Sequence, residues 1–234
     1  MKQKILLLVF PLFLGCAELQ NIADSLPQEG TVVTDSEISA GLQQALLFGI
    51  DKQVTRLTQE NGFFNNELVR ITLPPELQKV DRTLRDLGME ELADEGLKIL
   101  NRAAEDAVKQ ATPIFVDAVK QITFADARNI LMGGDDAATN YLVRKTRQKL
   151  YDEFTPVVNR SLEEVGATEI WSGIINRYNA IPLTSDVNPD LVDYVTTEAL
   201  EGVFTMIALE EKEIRNSLDA RTTELLRSVF SLQD

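Results

Sequence analysis

The sequence predicts an all-α fold: a single helical-bundle-like domain of about seven to nine helices spanning residues 34–234, after a leader and a tether. Three observations carry this. Apolar residues recur every three or four positions through most of the chain, the period of a helix face. Cap residues (Thr34, Thr123, Thr168) and glycines (Gly62, Gly88, Gly166) punctuate the pattern at helix-length intervals. Only Val69-Arg-Ile-Thr-Leu73 reads as extended, and an isolated strand cannot make a sheet.

Each element has its own signal. Thr34-Asp-Ser-Glu37 has the form of a capping box, and Ile38, Leu42, Leu46, Ile50, Val54 and Leu57 follow it as one helix face ending near Asn61-Gly62. Gly41 and Gly49 interrupt that helix at ~1 kcal/mol each relative to alanine, which implies a close helix contact there. Pro75 starts a second helix closed by Gly88, and Met89 to Ala111 reads as a third. Thr112-Pro113 is read as cap and first position of a fourth. Thr123 caps a short fifth helix closed by Gly133-Gly134. Asp135-Asp136 opens a sixth, where carboxylates face the positive end of the helix dipole, and Pro156 is expected to kink or end it. Thr168 caps a short helix through Ile170, Trp171 and Tyr178. Residues 179–188 form a loop, and Asn188-Pro189 starts the longest uninterrupted pattern, from Leu191 towards Ile214. Ala220 to Phe230 is the last helix. Phe63, Phe64, Phe115, Phe154, Trp171, Tyr178, Phe204 and Phe230 are core candidates.

Composition excludes several chemistries. Hydrophobic residues make up 44% and charged residues 26%, so the chain can bury a globular core. The net charge is −14, which repels phosphates and disfavours nucleic acid and anionic lipid headgroups. There is no histidine, which removes the commonest general base and zinc ligand. Cys16 is the only cysteine, so no disulfide or CxxC site exists.

Residues 1–15 carry Lys2 and Lys4, an apolar run from Ile5 to Leu14, and Gly15 directly before Cys16. The run is too short for a bilayer core that needs ~20 residues, and it has the form of a secretory signal. Phe13-Leu-Gly-Cys16 resembles the lipobox of bacterial lipoproteins, with Phe13 where leucine is usual. By that resemblance residues 1–15 are a lipoprotein signal peptide, Cys16 is lipidated, and residues 16–33 are the tether. Acylation would also remove a reactive thiol from an exported chain. Ala17 follows, where an aspartate would resemble an inner-membrane retention signal, so the expected destination is the outer membrane, facing the periplasm.

Further motifs carry a second resemblance. They are Asn101-Arg-Ala-Ala-Glu105, Thr123-Phe-Ala-Asp-Ala127, Ile130-Leu-Met-Gly-Gly-Asp-Asp136 with Thr139 and Tyr141, Asp193-Tyr-Val-Thr196, Ile214-Arg215 and Arg221-Thr-Thr223, with Gly41-Leu42 and Thr72-Leu-Pro74. Together they are similar to an uncharacterised family of all-helical bacterial lipoproteins, a domain of unknown function, over roughly residues 35–232. Ser231 stands where that family suggests glycine and Leu218 where proline is common. The resemblance implies an exported helical domain and no particular activity.

The candidate polar cluster is Asn101, Glu105, Asp126, Asp135, Thr139, Tyr194, Arg215 and Arg221. Asn101 and Glu105 share a helix face. Glu105, if buried, has the environment of a general acid or base. The plainer expectation is a structural carboxylate paired with Arg102, Arg215 or Arg221. Asp126, Asp135 and Asp136 bracket a Gly-Gly turn, yet lack the ordered spacing of a calcium loop, so helix capping by Asp135 is the better account. Glu210-Glu-Lys-Glu213 reads as a solvated charge run. No catalytic or metal-ligating set is assigned, and no cofactor is implied.

The expected function is that of a lipid-anchored periplasmic lipoprotein that binds or scaffolds a protein partner of the cell envelope without catalysis. One alternative is a carrier of lipid or another small apolar ligand in an interhelical cavity. The other is a carboxylate-based hydrolase, which requires a cleft at Glu105 or beside Asp135.

Overall fold

The computed structural model describes residues 33–73, 78–180 and 190–233. The signal, Cys16 and the tether up to residue 32, with Pro75, Asn188 and Pro189, lie outside the described residues, as does the side chain of Tyr178. The fold is all-α, with no strand among the described residues. Its helices are α1 (Asp35–Leu57), α2 (Gln78–Asp86), α3 (Glu90–Val108), α4 (Ala111–Lys120), α5 (Phe124–Leu131), α6 (Ala137–Glu163), α7 (Ala167–Asn179), α8 (Leu191–Asn216) and α9 (Glu224–Phe230), with a 3-10 turn at Leu218–Ala220.

α8 is the centre. It packs against α1, α3 and α6, while α4 and α5 fill the space beside α1 and α6, and α9 lies on α1. Leu191, Val195, Ala199, Leu200, Val203, Phe204, Ile207 and Ile214 of α8 are buried. Phe204 meets Phe115 edge to face, with centroids 5.9 Å apart. Phe63, Phe154, Trp171 and Phe230 are also buried, whereas Phe64 is half-buried beneath the Arg70 guanidinium, 4.0 Å from its ring centroid.

The capping box expected at Thr34 forms with Glu37, and the cap expected at Thr123 forms as a full capping box with Asp126 as its reciprocal partner. Gly88 takes φ +74 after α2, the left-handed conformation a helix terminus favours. The expected close contact at Gly41 is with α9, where an added Cβ would lie 2.6 Å from Val229 Cγ2.

Several boundaries differ from expectation. Pro156 does not end α6, which runs unbroken over 27 residues and is one residue longer than α8. α4 starts at Ala111, with Gln110 at its N-cap and no side-chain cap bond. Thr112 and Pro113 therefore lie inside the first turn, where a missing N–H costs no intrahelical bond. α7 starts at Ala167, so Thr168 is not its cap. α8 is capped by Asp190, whose carboxylate accepts from the Asp193 N–H at 3.0 Å. The last helix begins at Glu224 with Thr223 as its cap, because Arg221 leaves helical geometry (φ −83, ψ 76). Residues 69–73 form turns and irregular backbone around buried Val69 and Ile71.

That connection packs tightly on α8. A Cβ at Gly202 would lie 2.7 Å from Phe63 Cε1, and the Phe63 ring is fully buried. Gly202→Val is expected to lower the urea midpoint, with overpacking costing about 1–3 kcal/mol. Gly173→Ala, with open space around the new Cβ, is expected instead to gain up to ~1 kcal/mol.

Candidate functional site

The eight candidate residues do not converge on one place. They separate towards the two ends of α8, where Tyr194 and Arg215 are ~30 Å apart at 1.5 Å rise per residue.

Towards the N-terminal end, three side chains hold the connection between α1 and α2. Asn101 is fully buried on α3. Its Oδ1 accepts from the Ile71 N–H at 2.8 Å, and its Nδ2 donates to the Ile71 and Leu97 carbonyls at 2.8 and 2.7 Å. The amide thus pairs with Ile71 as a neighbouring strand would. One turn later on α3, Glu105 accepts from the Phe63 N–H at 3.2 Å and also from the backbone N–H of Asn61. Asn61 sits at φ +59, so the carboxylate stabilises a left-handed turn. Tyr194 donates its hydroxyl to the Thr72 carbonyl at 2.7 Å and stacks on Trp171. The arginine partner expected for Glu105 is absent: among the described residues no arginine or lysine lies within 4.0 Å of it. Backbone donors take that place.

Burial pushes the Glu105 carboxyl above the ordinary glutamate value, against the lowering by the Phe63 and Asn61 N–H groups and by Arg102. The native state therefore keeps this proton to a higher pH than the unfolded chain does. Stability attributable to Glu105 is fully present below the ordinary glutamate pKa and declines as pH rises through the raised one. Wild type is expected to lose stability relative to Glu105→Gln over that interval, as read by parallel urea titrations at stepped pH. A difference independent of pH would contradict the assignment.

Glu105 also borders a surface cleft of about 400 Å³, lined by Glu60, Lys98, Ile99, Arg102, Ser161 and Val165 among others. Glu105 itself is 4% exposed.

Towards the other end of α8, charged side chains close helix termini. Glu211 accepts from the Ala138 and Thr139 N–H groups and from the Thr139 hydroxyl, each at 2.8 Å. It thereby caps α6, while Asp136 at the N-cap makes no side-chain cap bond and Asp135 is exposed. The expected cap by Asp135 is thus replaced by a carboxylate from another helix. A carboxylate suits the positive end of the helix dipole. Arg215, one turn along α8, donates to Glu211 Oε1 through Nε at 3.0 Å and Nη2 at 2.8 Å. It also donates to the last carbonyls of α5, Leu131 at 3.0 Å and Ile130 at 2.8 Å. Arg221, 1% exposed, donates to the Ile214 and Arg215 carbonyls at 3.1 and 2.8 Å and so caps α8. One carboxylate and two guanidiniums thus satisfy the ends of three helices.

Glu210 turns towards α1. It accepts from Lys52 Nζ at 2.7 Å and Gln53 Nε2 at 2.6 Å, against the gap left by Gly49. Glu210 and Glu211 are 3% and 7% exposed, so half of the expected solvated run is interior. Neither burial is legible in the charge run itself. Their signal was position: they fall three and four residues after Ile207, where the apolar stripe of α8 continues.

Asp126 belongs to the Thr123 capping box. The Thr123 hydroxyl, then its backbone N–H, holds the Asp126 carboxyl below its ordinary value. Asp126 and Asp136 border a shallow cleft with Asn129, Asn140 and Arg144. Among the described residues, no group of three or more His, Cys, Asp or Glu is placed to hold a metal ion. An interior cavity of about 20 Å³ lies between α1 and α8, bordered by Leu46, Ile207, Glu210 and Arg215. That is room for a water rather than an acyl chain. No described helix is long and apolar enough to cross a membrane.

No curated protein and no solved structure matches the chain. Residues 32–231 match the family described as protein of unknown function (DUF4197), and the chain belongs to that family.

Proposed function

We propose that this protein is held at the outer membrane, facing the periplasm, through lipid on Cys16, and that it acts by binding or scaffolding an envelope partner rather than by catalysis. The observation that supports this is the use to which the buried polar groups are put. Asn101, Glu105, Glu211, Arg215 and Arg221 all bond backbone groups of helix ends or of one connection. They build a rigid body, and its chemistry is directed inward. The test is cross-linking in intact envelopes followed by capture of the protein. The expected result is one partner recovered in repeated experiments and lost when Cys16 is replaced by serine. Failure to recover the same partner twice counts against the proposal.

One observation favours a second reading, a carboxylate-based hydrolase. Glu105 combines a raised pKa with a position at a cleft of ligand-sized volume. That reading expects any hydrolytic activity found for the protein to vanish in Glu105→Gln while the melting temperature at acidic pH holds. The carrier reading draws no support from an interior cavity of about 20 Å³.

A further inference from the structure

The outward face of α5 is more apolar than its surroundings require. Phe124 at its start and Met132 at its C-cap are 60% and 64% exposed, and Arg128 lies between them, one turn from each. Leu232 adds to this side of the fold: it is 44% exposed, and the next residue, Gln233, hydrogen-bonds the Leu131 carbonyl. The buried side of α5, Ala127, Ile130 and Leu131, is already packed, so nothing inside the domain needs the outer residues.

The place where the N-terminal segment joins the domain is beside this face. α1 begins at Asp35, and Asp35 pairs with Arg128 at 3.4 Å. Residues 17–33 can reach at most ~60 Å when fully extended. A domain of ~200 residues has a radius of gyration of ~16 Å. Such a body is ~40 Å across, so an anchor at Cys16 would keep the domain within about one and a half diameters of the bilayer, with α5 on the side where the domain is joined. Large apolar side chains exposed together on such a side mark a contact surface. The net charge of −14 opposes contact with anionic headgroups, which leaves a zwitterionic surface as the fitting one.

We infer that α5, through Phe124 and Met132, docks the domain on the zwitterionic lipid surface that holds its anchor. Phe124 and Met132 enter the headgroup boundary, and Arg128 keeps its charge at the water side. This rests on the anchored reading, so the test supplies its own anchor. The mature chain, starting at Cys16, is coupled through that thiol to a maleimide phospholipid in vesicles of phosphatidylethanolamine and phosphatidylcholine. In a Trp171→Phe background, a single tryptophan is placed by Phe124→Trp or by Ile170→Trp. Ile170 is 64% exposed on α7, beside Trp171, which stacks on Tyr194 near the opposite end of α8. Acyl-brominated lipids are expected to quench the first tryptophan several-fold more than the second, and Met132→Asp is expected to abolish the difference. Equal quenching at both positions overturns the inference. So does shielding of the position-124 tryptophan that is independent of bromine and rises with protein density, which would assign the face to a second copy. Cellular fractionation of Cys16→Ser tests the anchor separately, so the two failures are distinguishable.

Discussion

Cys16→Ser is expected to move the protein from the membrane fraction to the soluble periplasmic fraction. Partition into the bilayer sets the size of the effect. A single acyl chain gives marginal binding, with a constant of ~10⁴ M⁻¹, and each further buried CH₂ contributes ~0.8 kcal/mol. The acyl chains of a lipidated cysteine amount to a permanent anchor, and without them only the lipid contact proposed for α5 would remain. No described helix substitutes as a membrane span. Fractionation of envelopes with and without Cys16 decides the matter: retention of the serine variant at wild-type levels would sink the anchored reading. The fold should be unaffected, because the described domain begins after the tether at Thr34.

The second large effect belongs to Arg215. Arg215→Met removes the guanidinium that neutralises Glu211 and satisfies the Leu131 and Ile130 carbonyls. Both partners are almost fully buried, with side-chain exposures of 4% and 5%. Breaking a buried ion pair from one side leaves an uncompensated charge and costs about 3–5 kcal/mol. Of a total stability of ~5–15 kcal/mol that is a large share, and for a domain near the lower end it is enough to unfold a substantial fraction at 37 °C. Glu211→Gln in the same chain removes the stranded charge while keeping an acceptor for the α6 amides. The double variant is therefore expected to be more stable than Arg215→Met alone, by urea or thermal denaturation. Strict additivity of the two substitutions would show that the residues do not couple.

What could be read from the sequence was local. Thr34 with Glu37, and Thr123 with Asp126, announce their helices because both partners of a capping box lie within four residues. Gly41 and Gly49 announce close approaches, although not what approaches them. Pro156 does not end its helix, because a proline's local cost is readily outweighed when the helix on both sides is buried, as Phe154 and Val158 are. The candidate site was harder. Asn101, Glu105, Thr139, Arg215 and Arg221 of the candidate cluster are all buried, but most of their partners are backbone groups, which carry no side-chain signature. Glu211 was misplaced for a related reason. Its partners Ala138 and Thr139 stand 73 and 72 positions away, and a glutamate between a glutamate and a lysine looks solvated until the helix it caps is known.

Helix ends are ordinarily the first amides of a protein to exchange with solvent, because they fray without disturbing the rest. The first turn of α6 should behave in the opposite way. The Ala138 and Thr139 amides are held by a carboxylate from α8 whose guanidinium partner also holds the end of α5. None of the three termini can open alone without stranding charge. In native-state hydrogen exchange these two amides should be released only when the whole domain opens, so that a helix terminus reports global stability and α5, α6 and α8 unfold as a single cooperative unit.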